Sequence, residues 1–130
     1  MTVVLFLATA VAGGIGAALR FAVDVAVGRR AGAGFPFGTV LVNVTGSFAL
    51  GTVAGVAANG WLPPEVATVV GVGLLGGYTT FSTASMQTVR LVQEGRYRAA
   101  LVNGLGALVA CTLAALLGLG LGALLGGLGA

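Results

Sequence analysis

The stretch that decides the fold is G-G-Y-T-T-F-S-T-A-S-M-Q-T, Gly76–Thr88, which lies within the uncharged segment Val66–Val89. Two glycines and six serine and threonine residues occupy a segment that otherwise has the apolar composition of a membrane span. Glycine followed by β-branched threonine is poor helix sequence, and here it falls at mid-span. Non-helical backbone is tolerated at this depth only where protein buries it or where it lines a cavity. The stretch therefore predicts an interrupted helix, with the next helix restarting at Thr80 or Phe81.

Composition places the whole chain in a lipid bilayer. Of its 130 residues, 58% are hydrophobic and 7% are charged, whereas a soluble domain carries about 25% charged residues. A soluble domain of this length would leave about a third of its surface wet, and this chain has too few polar residues to cover that surface. The sequence therefore predicts a membrane protein whose backbone polar groups are satisfied inside helices.

Four uncharged segments are each long enough to cross the hydrocarbon core as a helix of roughly 20 residues. We predict a single domain over residues 1–130 that is all-α, with four transmembrane helices, the third of them broken. The spans are expected at about 3–22, 38–58, 66–89 and 99–124.

Small residues recur four positions apart within these spans, a spacing that lets helices approach closely in lipid. The pairs are Gly13/Ala17, Gly51/Gly55, Gly73/Gly77, Gly118/Gly122 and Gly122/Gly126. Tight packing within one bundle accounts for most of them. Because four short spans enclose little, we also expect an oligomer.

All six arginines lie in two of the loops that the spans define. They are Arg20, Arg29, Arg30, Arg90, Arg96 and Arg98. The loop around Trp61 carries only one charge, that of Glu65. By the positive-inside rule, the arginine loops belong in the cytoplasm and both termini outside. We therefore expect a multi-pass protein of the cell's inner (plasma) membrane.

Residue types that most enzymes and pumps need are missing. The chain contains no histidine or lysine, one cysteine and three acids, so it offers no disulfide, no Cys/His metal site and no catalytic dyad. No acid lies within a predicted span, which argues against a pump that moves protons through a buried carboxylate. We expect a protein that is not an enzyme and has no nucleic-acid partner.

Uncharged polar residues repeat along the second predicted span. Thr39, Asn43 and Ser47 are spaced by four residues and so share one helix face. Asn43 either serves a functional path or forms an interhelical hydrogen bond that holds the bundle, and the sequence alone leaves both open. Asn103 lies close to the arginines before the fourth span, where a position at the membrane interface is expected. Cys111 is expected to pack.

A break at mid-span would give the third span two kinds of ion ligand. It frees carbonyl oxygens, which coordinate small cations, and amide donors at the start of the next half-helix, which favour anions. Phe81, Ser82 and Ser85 would then surround a polar face, where the positive edge of an aromatic ring can meet an anion. The alternative is a glycine-rich packing face whose hydroxyls bond to the preceding turn.

Motifs in four parts of the chain resemble those of the small bacterial fluoride channels, the Fluc/CrcB family. G-G-Y-T-T-F-S-T at 76–83 is similar to the signature G-G-x-T-T-F-S-T. G-T-V-L-V-N-V-T-G-S-F (Gly38–Phe48) resembles the second-span motif, and G-G-I-G-A-A-L-R-F (Gly13–Phe21) the first-span motif. Q-E-G-R-Y (Gln93–Tyr97) matches the loop before the fourth span. Taken together, and in this order, the motifs are specific.

The resemblance implies a passive channel that lets cytoplasmic fluoride leave the cell and so confers fluoride resistance. It also implies an antiparallel dimer with two pores and one structural Na⁺, not transported, at the dimer centre. By position, the carbonyls of Gly76 and Thr79 would hold the Na⁺. Arg20 would line the vestibule, with a role as an interfacial anchor as the alternative. Residues assigned to the fluoride path are Asn43, Phe81, Ser82, Thr83, Thr39 and Ser47.

Three positions depart from the family pattern. Ala84 stands where a second pore phenylalanine is usual, and Ala107 and Cys111 stand where polar residues are common on the fourth span. One wall of the pore therefore lacks expected groups, and the number of conducting pores stays open.

The arginine bias is a further departure, because an antiparallel homodimer needs a chain that inserts both ways. Six arginines on one side of the membrane and none on the other predict that the chain inserts in a single orientation. We therefore expect a heterodimer with an oppositely oriented paralogue, and a homodimer is the alternative.

Two other functions deserve comparison with the fluoride channel. A small multidrug-resistance-type transporter would need a glutamate in the first span, where residues 2–19 hold no acid. A non-transporting packing subunit of a larger membrane complex would carry no fluoride.

Overall fold

The computed structural model describes residues 2–32 and 34–127, and within these ranges it is helical, with no strand. α3 and α4 together form the third span, Pro64–Gln93, so the described residues contain four segments long and apolar enough to cross a membrane. The prediction of an all-α, four-span protein is confirmed. The helices are α1 (Val3–Ala31), α2 (Phe37–Ala58), α3 (residues 64–78), α4 (Phe81–Gln93) and α5 (Tyr97–Gly127).

The first helix is longer than the predicted span at about 3–22. α1 starts behind Thr2, whose hydroxyl accepts a hydrogen bond from an amide of the first turn. It ends at Gly32, whose φ of 77° lies in the left-handed region that glycine adopts without strain. The extension places Asp24 on the first helical segment. The expectation that no acid lies on a span therefore holds only for the shorter, predicted range.

Glycines bring α2 and α5 into backbone contact along much of their length. A Cβ at Gly51 would overlap the Ala115 carbonyl, and a Cβ at Gly118 would overlap the Phe48 carbonyl. Lipid supplies no hydrophobic drive between helices, so close packing of this kind holds a membrane bundle together. The predicted packing role of the small-residue pairs is confirmed for these two helices.

A second set of glycines fixes α3 against α1. A Cβ at Gly16 would overlap the Leu74 carbonyl, and a Cβ at Gly77 would overlap the Gly13 carbonyl. Gly77 lies two residues before the point where α3 loses helical geometry. The first half of the third span is therefore held by α1 right up to the interruption.

Two segments are wound more widely than an α-helix. Thr68–Leu75 in α3 and Val102–Gly106 in α5 have π-helical geometry, in which each amide bonds to the carbonyl five residues before it. Such turns are rare and occur frequently at functional sites. No sequence pattern predicted either segment.

The two arginine-bearing loops lie at one end of the bundle. Gly34 and Phe35 of the first loop and Arg96 of the second line the same cavity of about 430 Å³. Because α2 runs away from this end, the Trp61 loop lies at the other. Met1 and residues 128–130, which the prediction for the termini concerns, lie outside the described residues.

Candidate functional site

The third span leaves helical geometry at two threonines. Thr79 (φ −81°, ψ 159°) and Thr80 (φ −150°, ψ 117°) are both extended, a conformation that suits β-branched residues. α4 begins at Phe81, with the Thr80 hydroxyl accepting a hydrogen bond from the Thr83 amide at 3.2 Å. The interruption falls inside the stretch that the sequence singled out, and the helix restarts at one of the two expected residues.

Asn43 of α2 is hydrogen-bonded to the interruption through both ends of its side-chain amide. Its Nδ2 donates to the Thr80 carbonyl at 2.9 Å, and its Oδ1 accepts from the Thr80 amide at 2.7 Å. A buried peptide group without partners is costly, and this pair of bonds removes the cost for Thr80. In a continuous α-helix the Thr80 amide would donate to the Gly76 carbonyl. Here it donates to Asn43 instead, so the Gly76 carbonyl lacks that hydrogen bond.

Hydroxyl groups around the interruption fall into two classes. Those of Ser85 and Thr88 donate to carbonyls one turn earlier, at 2.9 Å each. The Ser47 hydroxyl has no hydrogen-bond partner among residues 2–32 and 34–127. Ser82 Oγ lies 3.4 Å from Thr80 Oγ1, a long contact. Ser47 therefore retains a donor that a ligand could use, whereas the hydroxyl of Ser82 is directed to Thr80, which itself donates to Thr83 Oγ1.

A groove of about 290 Å³ lies between α2, α4 and α5. Asn43 and Ser47 both line it, as their shared helix face predicts. Phe81 is on its edge, with 86% of its surface exposed. The three positions that depart from the family pattern all lie on the wall of this groove. They are Ala84, Ala107 and Cys111.

Thr39 lies on the other side of the interruption from this groove. It helps line a second cavity of about 220 Å³ together with Arg20, Thr83 and Asp24. Thr80 borders both cavities. The face of α2 that carries the predicted path therefore continues past the interruption toward the end of the bundle where the arginines lie.

Sequence reasoning missed two partners of Thr39. Gln87 Nε2 donates to the Thr39 hydroxyl at 2.9 Å. The Thr39 hydroxyl in turn donates to Asp24 Oδ1 over 3.5 Å, which is long for a hydrogen bond. Thr39 is 2% exposed, so these contacts are interior. Gln87 lies four residues after Thr83, a spacing that put it on the same helix face and could have drawn attention to it.

Asn103 is buried inside the bundle. It is 1% exposed and lies between α5 and α4. Its Nδ2 donates to the Ala84 carbonyl at 3.1 Å and to the Thr88 hydroxyl at 2.8 Å. The side chain therefore joins two helices, whatever its depth in the membrane, a role that the sequence analysis did not assign to it.

Backbone carbonyls are the groups best suited to a cation in this site. Among the described residues there is no cluster of histidine, cysteine or acidic side chains that could hold a metal. The Gly76 carbonyl loses its α-helical donor to Asn43, and the carbonyl of Thr79 belongs to the extended segment. Freed carbonyls are ligands for small hard cations such as Na⁺.

Comparison with known proteins matches nearly the whole chain. The model of the family described as "CrcB-like protein, Camphor Resistance (CrcB)" matches residues 7–119. A Leifsonia xyli subsp. xyli protein named "Fluoride-specific ion channel FluC 1" is 51% identical over 124 residues, which cover 95% of this chain and 90% of the relative. A Mycobacterium tuberculosis protein named "Fluoride-specific ion channel FluC 2" is 43% identical over 118 residues, with 91% and 90% covered. A Shewanella amazonensis "Fluoride-specific ion channel FluC" is 43% identical over 109 residues, with 84% and 88% covered.

Proposed function

The chain belongs to the CrcB family, and on that premise we propose that it is a subunit of a fluoride-specific ion channel that lets cytoplasmic fluoride leave the cell passively. The observation that carries this proposal is the interrupted third span held by Asn43 beside a partly polar groove. Relatives over most of the chain bear the name of such a channel. Passive export lowers the internal fluoride concentration and so confers fluoride resistance.

Fluoride holds its water strongly, so a path for it must replace that water with hydrogen-bond donors. The Ser47 hydroxyl in the groove is available to donate, and Asn43 Nδ2 carries a second hydrogen besides the one bonded to Thr80. The positive edge of the Phe81 ring adds attraction without a fixed charge. Ions leave such a path because binding is spread over several weak sites, with no arginine beside Ser47 to hold them.

The second cavity provides the mouth of the path. Arg20, Thr39 and Thr83 line it, and Thr80 connects it to the groove. A positive side chain at the mouth raises the local anion concentration. The negative charge of Asp24 in the same cavity partly cancels the positive potential of Arg20. Anions are therefore attracted to the mouth without being trapped there.

A second subunit closes the open side of the groove. Phe81 would otherwise leave 86% of its surface in contact with lipid while standing beside polar groups. The helix faces of one chain cannot enclose a path, and the family resemblance implies an antiparallel dimer. The positive-inside rule fixes the orientation of this chain, with its arginine loops in the cytoplasm and its termini outside the inner membrane. Its partner is therefore a paralogue with the opposite charge bias.

The resemblance also assigns a structural Na⁺ to the interruption, and the residues present suit it. The carbonyls of Gly76 and Thr79 would hold the ion, with the Gly76 carbonyl made available by the hydrogen bond from the Thr80 amide to Asn43. When bound, the ion supplies positive charge to carbonyls that lack an amide donor. Asn43 maintains the extended backbone at Thr79 and Thr80 and keeps the Thr80 amide away from the Gly76 carbonyl.

Removal of Na⁺ is expected to lower the thermal stability of the assembled channel. An ion at about 100 times its dissociation constant stabilises the folded state by about 2.7 kcal/mol. The unfolding midpoint of the purified dimer would be measured in NaCl and in N-methyl-D-glucamine chloride at matched ionic strength. Equal midpoints in the two salts would argue against a bound Na⁺.

Chemical modification of Cys111 tests whether fluoride travels through the groove. Cys111 is the only cysteine of the chain and lines the groove wall. Reaction with a negatively charged methanethiosulfonate is expected to lower fluoride release from liposomes by about tenfold, a change of about 1.4 kcal/mol. Fluoride release would be followed with a fluoride electrode under a potassium-ionophore voltage.

The matched control is Cys111→Ala, which removes the reactive sulfur without adding a polar group to the groove wall and cannot react. Its fluoride release should be close to that of the unmodified protein and should not respond to the reagent. Full modification of Cys111, shown by mass spectrometry, with unchanged fluoride release would place the path elsewhere.

A further inference from the structure

We propose that Asn103 is a positioning residue that fixes α4 against α5 and thereby sets the width of the groove, and with it the size of anion that passes. The inference rests on the proposed function, because groove width matters only if an anion uses the groove. Both hydrogens of Asn103 Nδ2 are committed across the helix pair, one to the Ala84 carbonyl and one to the Thr88 hydroxyl. Ala84 and Thr88 themselves line the groove.

α4 buries few apolar side chains, so its position depends on side-chain hydrogen bonds to its neighbours, and Asn103 supplies those to α5. Leu91 is its one buried residue within the described chain, and it lies near the far end of the helix from the groove. At its start α4 follows the extended threonines, whose backbone is hydrogen-bonded to Asn43 and to the Leu75 carbonyl. Between these two points Gln87 attaches α4 to α2, and the Asn103 contacts at Ala84 and Thr88 attach it to α5. Loss of them would free the part of α4 that forms the groove wall.

The local winding of α5 places Asn103 where it can reach α4. It lies in the π-helical turn Val102–Gly106, and a π-turn changes the direction in which the side chains point. Gly104 in the same turn also faces α4, since a Cβ there would lie in ordinary van der Waals contact with Thr88 Cγ2, at 3.4 Å. The π-turn therefore lies directly against the Thr88 turn of α4.

The hydrogen bonds of Asn103 show which part of the side chain matters. Its Oδ1 is buried and has no partner within the described chain. A buried polar atom without a partner destabilises, and an apolar side chain of similar volume would avoid that loss. The two N–H donors of Asn103 are therefore the useful part of the side chain, and its carbonyl oxygen is an accepted cost. Asn103 thus holds α4 by hydrogen bonds in a fixed direction and not by apolar packing alone.

The test is the ratio of chloride to fluoride permeability in liposomes containing Asn103→Leu. Leucine has a similar volume and removes both donors. The ratio is expected to rise by roughly tenfold, the factor that two interhelical hydrogen bonds of ordinary strength maintain. Partial unfolding alone would lower the flux of both ions and leave their ratio unchanged, so an unchanged ratio would overturn the proposal.

Thr88→Val provides a second variant that removes one acceptor with little change in shape. It should raise the same ratio by a smaller factor, and the double variant should behave like Asn103→Leu alone because the two residues act through one contact. Thr112→Val is the matched control, since among residues 2–32 and 34–127 the Thr112 hydroxyl bonds only to the Leu108 carbonyl of its own helix. Additive effects of Asn103→Leu and Thr88→Val would contradict the proposal.

Hydrogen exchange separates this proposal from the proposed function. In Asn103→Leu the amides of the first two turns of α4 should exchange faster than in the unaltered protein, with α2 unchanged. If exchange is faster in Asn103→Leu but the unaltered protein carries no fluoride, the proposed channel function is wrong and the role of Asn103 in holding α4 is supported. Unchanged exchange in a protein that conducts fluoride would reject the role of Asn103 alone.

Discussion

Replacing Asn43 with leucine is expected to lower fluoride flux by about 100-fold, which corresponds to about 3 kcal/mol. Asn43 satisfies both the amide and the carbonyl of Thr80, and leucine satisfies neither. The Thr80 amide would then return to the Gly76 carbonyl or remain unpaired, and either change alters the interruption. The same substitution removes a donor from the groove. Fluoride release from liposomes measures the combined loss.

Ser47→Ala is the matched control for this prediction. Ser47 lies one turn further along the same face of α2 and makes no hydrogen bond to the interruption among the described residues. Its loss should therefore lower the flux by much less than that of Asn43, with the dimer still eluting as a single species. Wild-type flux in a folded Asn43→Leu protein would show that the interruption is not part of the fluoride path.

Fluoride export by cells that produce this chain alone is expected to be absent, and a topologically inverted copy of the chain is expected to restore it. All six arginines lie in or near the two connections at one end of the bundle, so we expect the chain to insert in one orientation and not to form an antiparallel pair with itself. The inverted copy would carry serine at Arg29, Arg30, Arg90, Arg96 and Arg98, with Trp61→Arg and four arginines added before the first residue, so that five arginines on one side oppose only Arg20 on the other. The five replaced arginines and Trp61 are exposed, so the helix contacts are preserved.

Export would be followed with a fluoride electrode in fluoride-loaded bacteria that lack their own fluoride channel. The inverted copy alone is the control and should also be silent, because it too has a single orientation. Equal export by the unaltered chain alone and by the pair would contradict the heterodimer proposal. So would the detection of both orientations of the unaltered chain in the native membrane.

Much of the fold was predictable because membrane spans follow from simple rules. Uncharged segments of sufficient length located four spans, and small residues at four-residue spacing identified the faces on which α2 and α5 meet. The interruption was predictable because glycine and threonine both weaken a helix, and Thr79 and Thr80 are the residues that become extended. The shared face of Asn43 and Ser47 followed from helix periodicity alone.

The remaining features depend on contacts that no single segment encodes. Gln87 and Asp24 meet at Thr39 only because α1 continues beyond its predicted end and packs across α2. Asn103 is interior because a π-turn re-aims it, and the energy difference between a π-turn and an α-turn is too small to read from residue types. Sequence also could not decide between the two roles of Asn43, because that choice depends on which backbone group the amide meets.

The measurement that tests the central claim most directly is release of fluoride and of chloride from liposomes containing the chain co-purified with its inverted copy. Each ion would be followed with its own electrode under the same potassium-ionophore voltage, with protein-free liposomes as the baseline. Fluoride release far above that baseline, with chloride release close to it, is the result that we predict. Fluoride release at the baseline, or chloride release as fast as that of fluoride, would contradict a fluoride-specific channel.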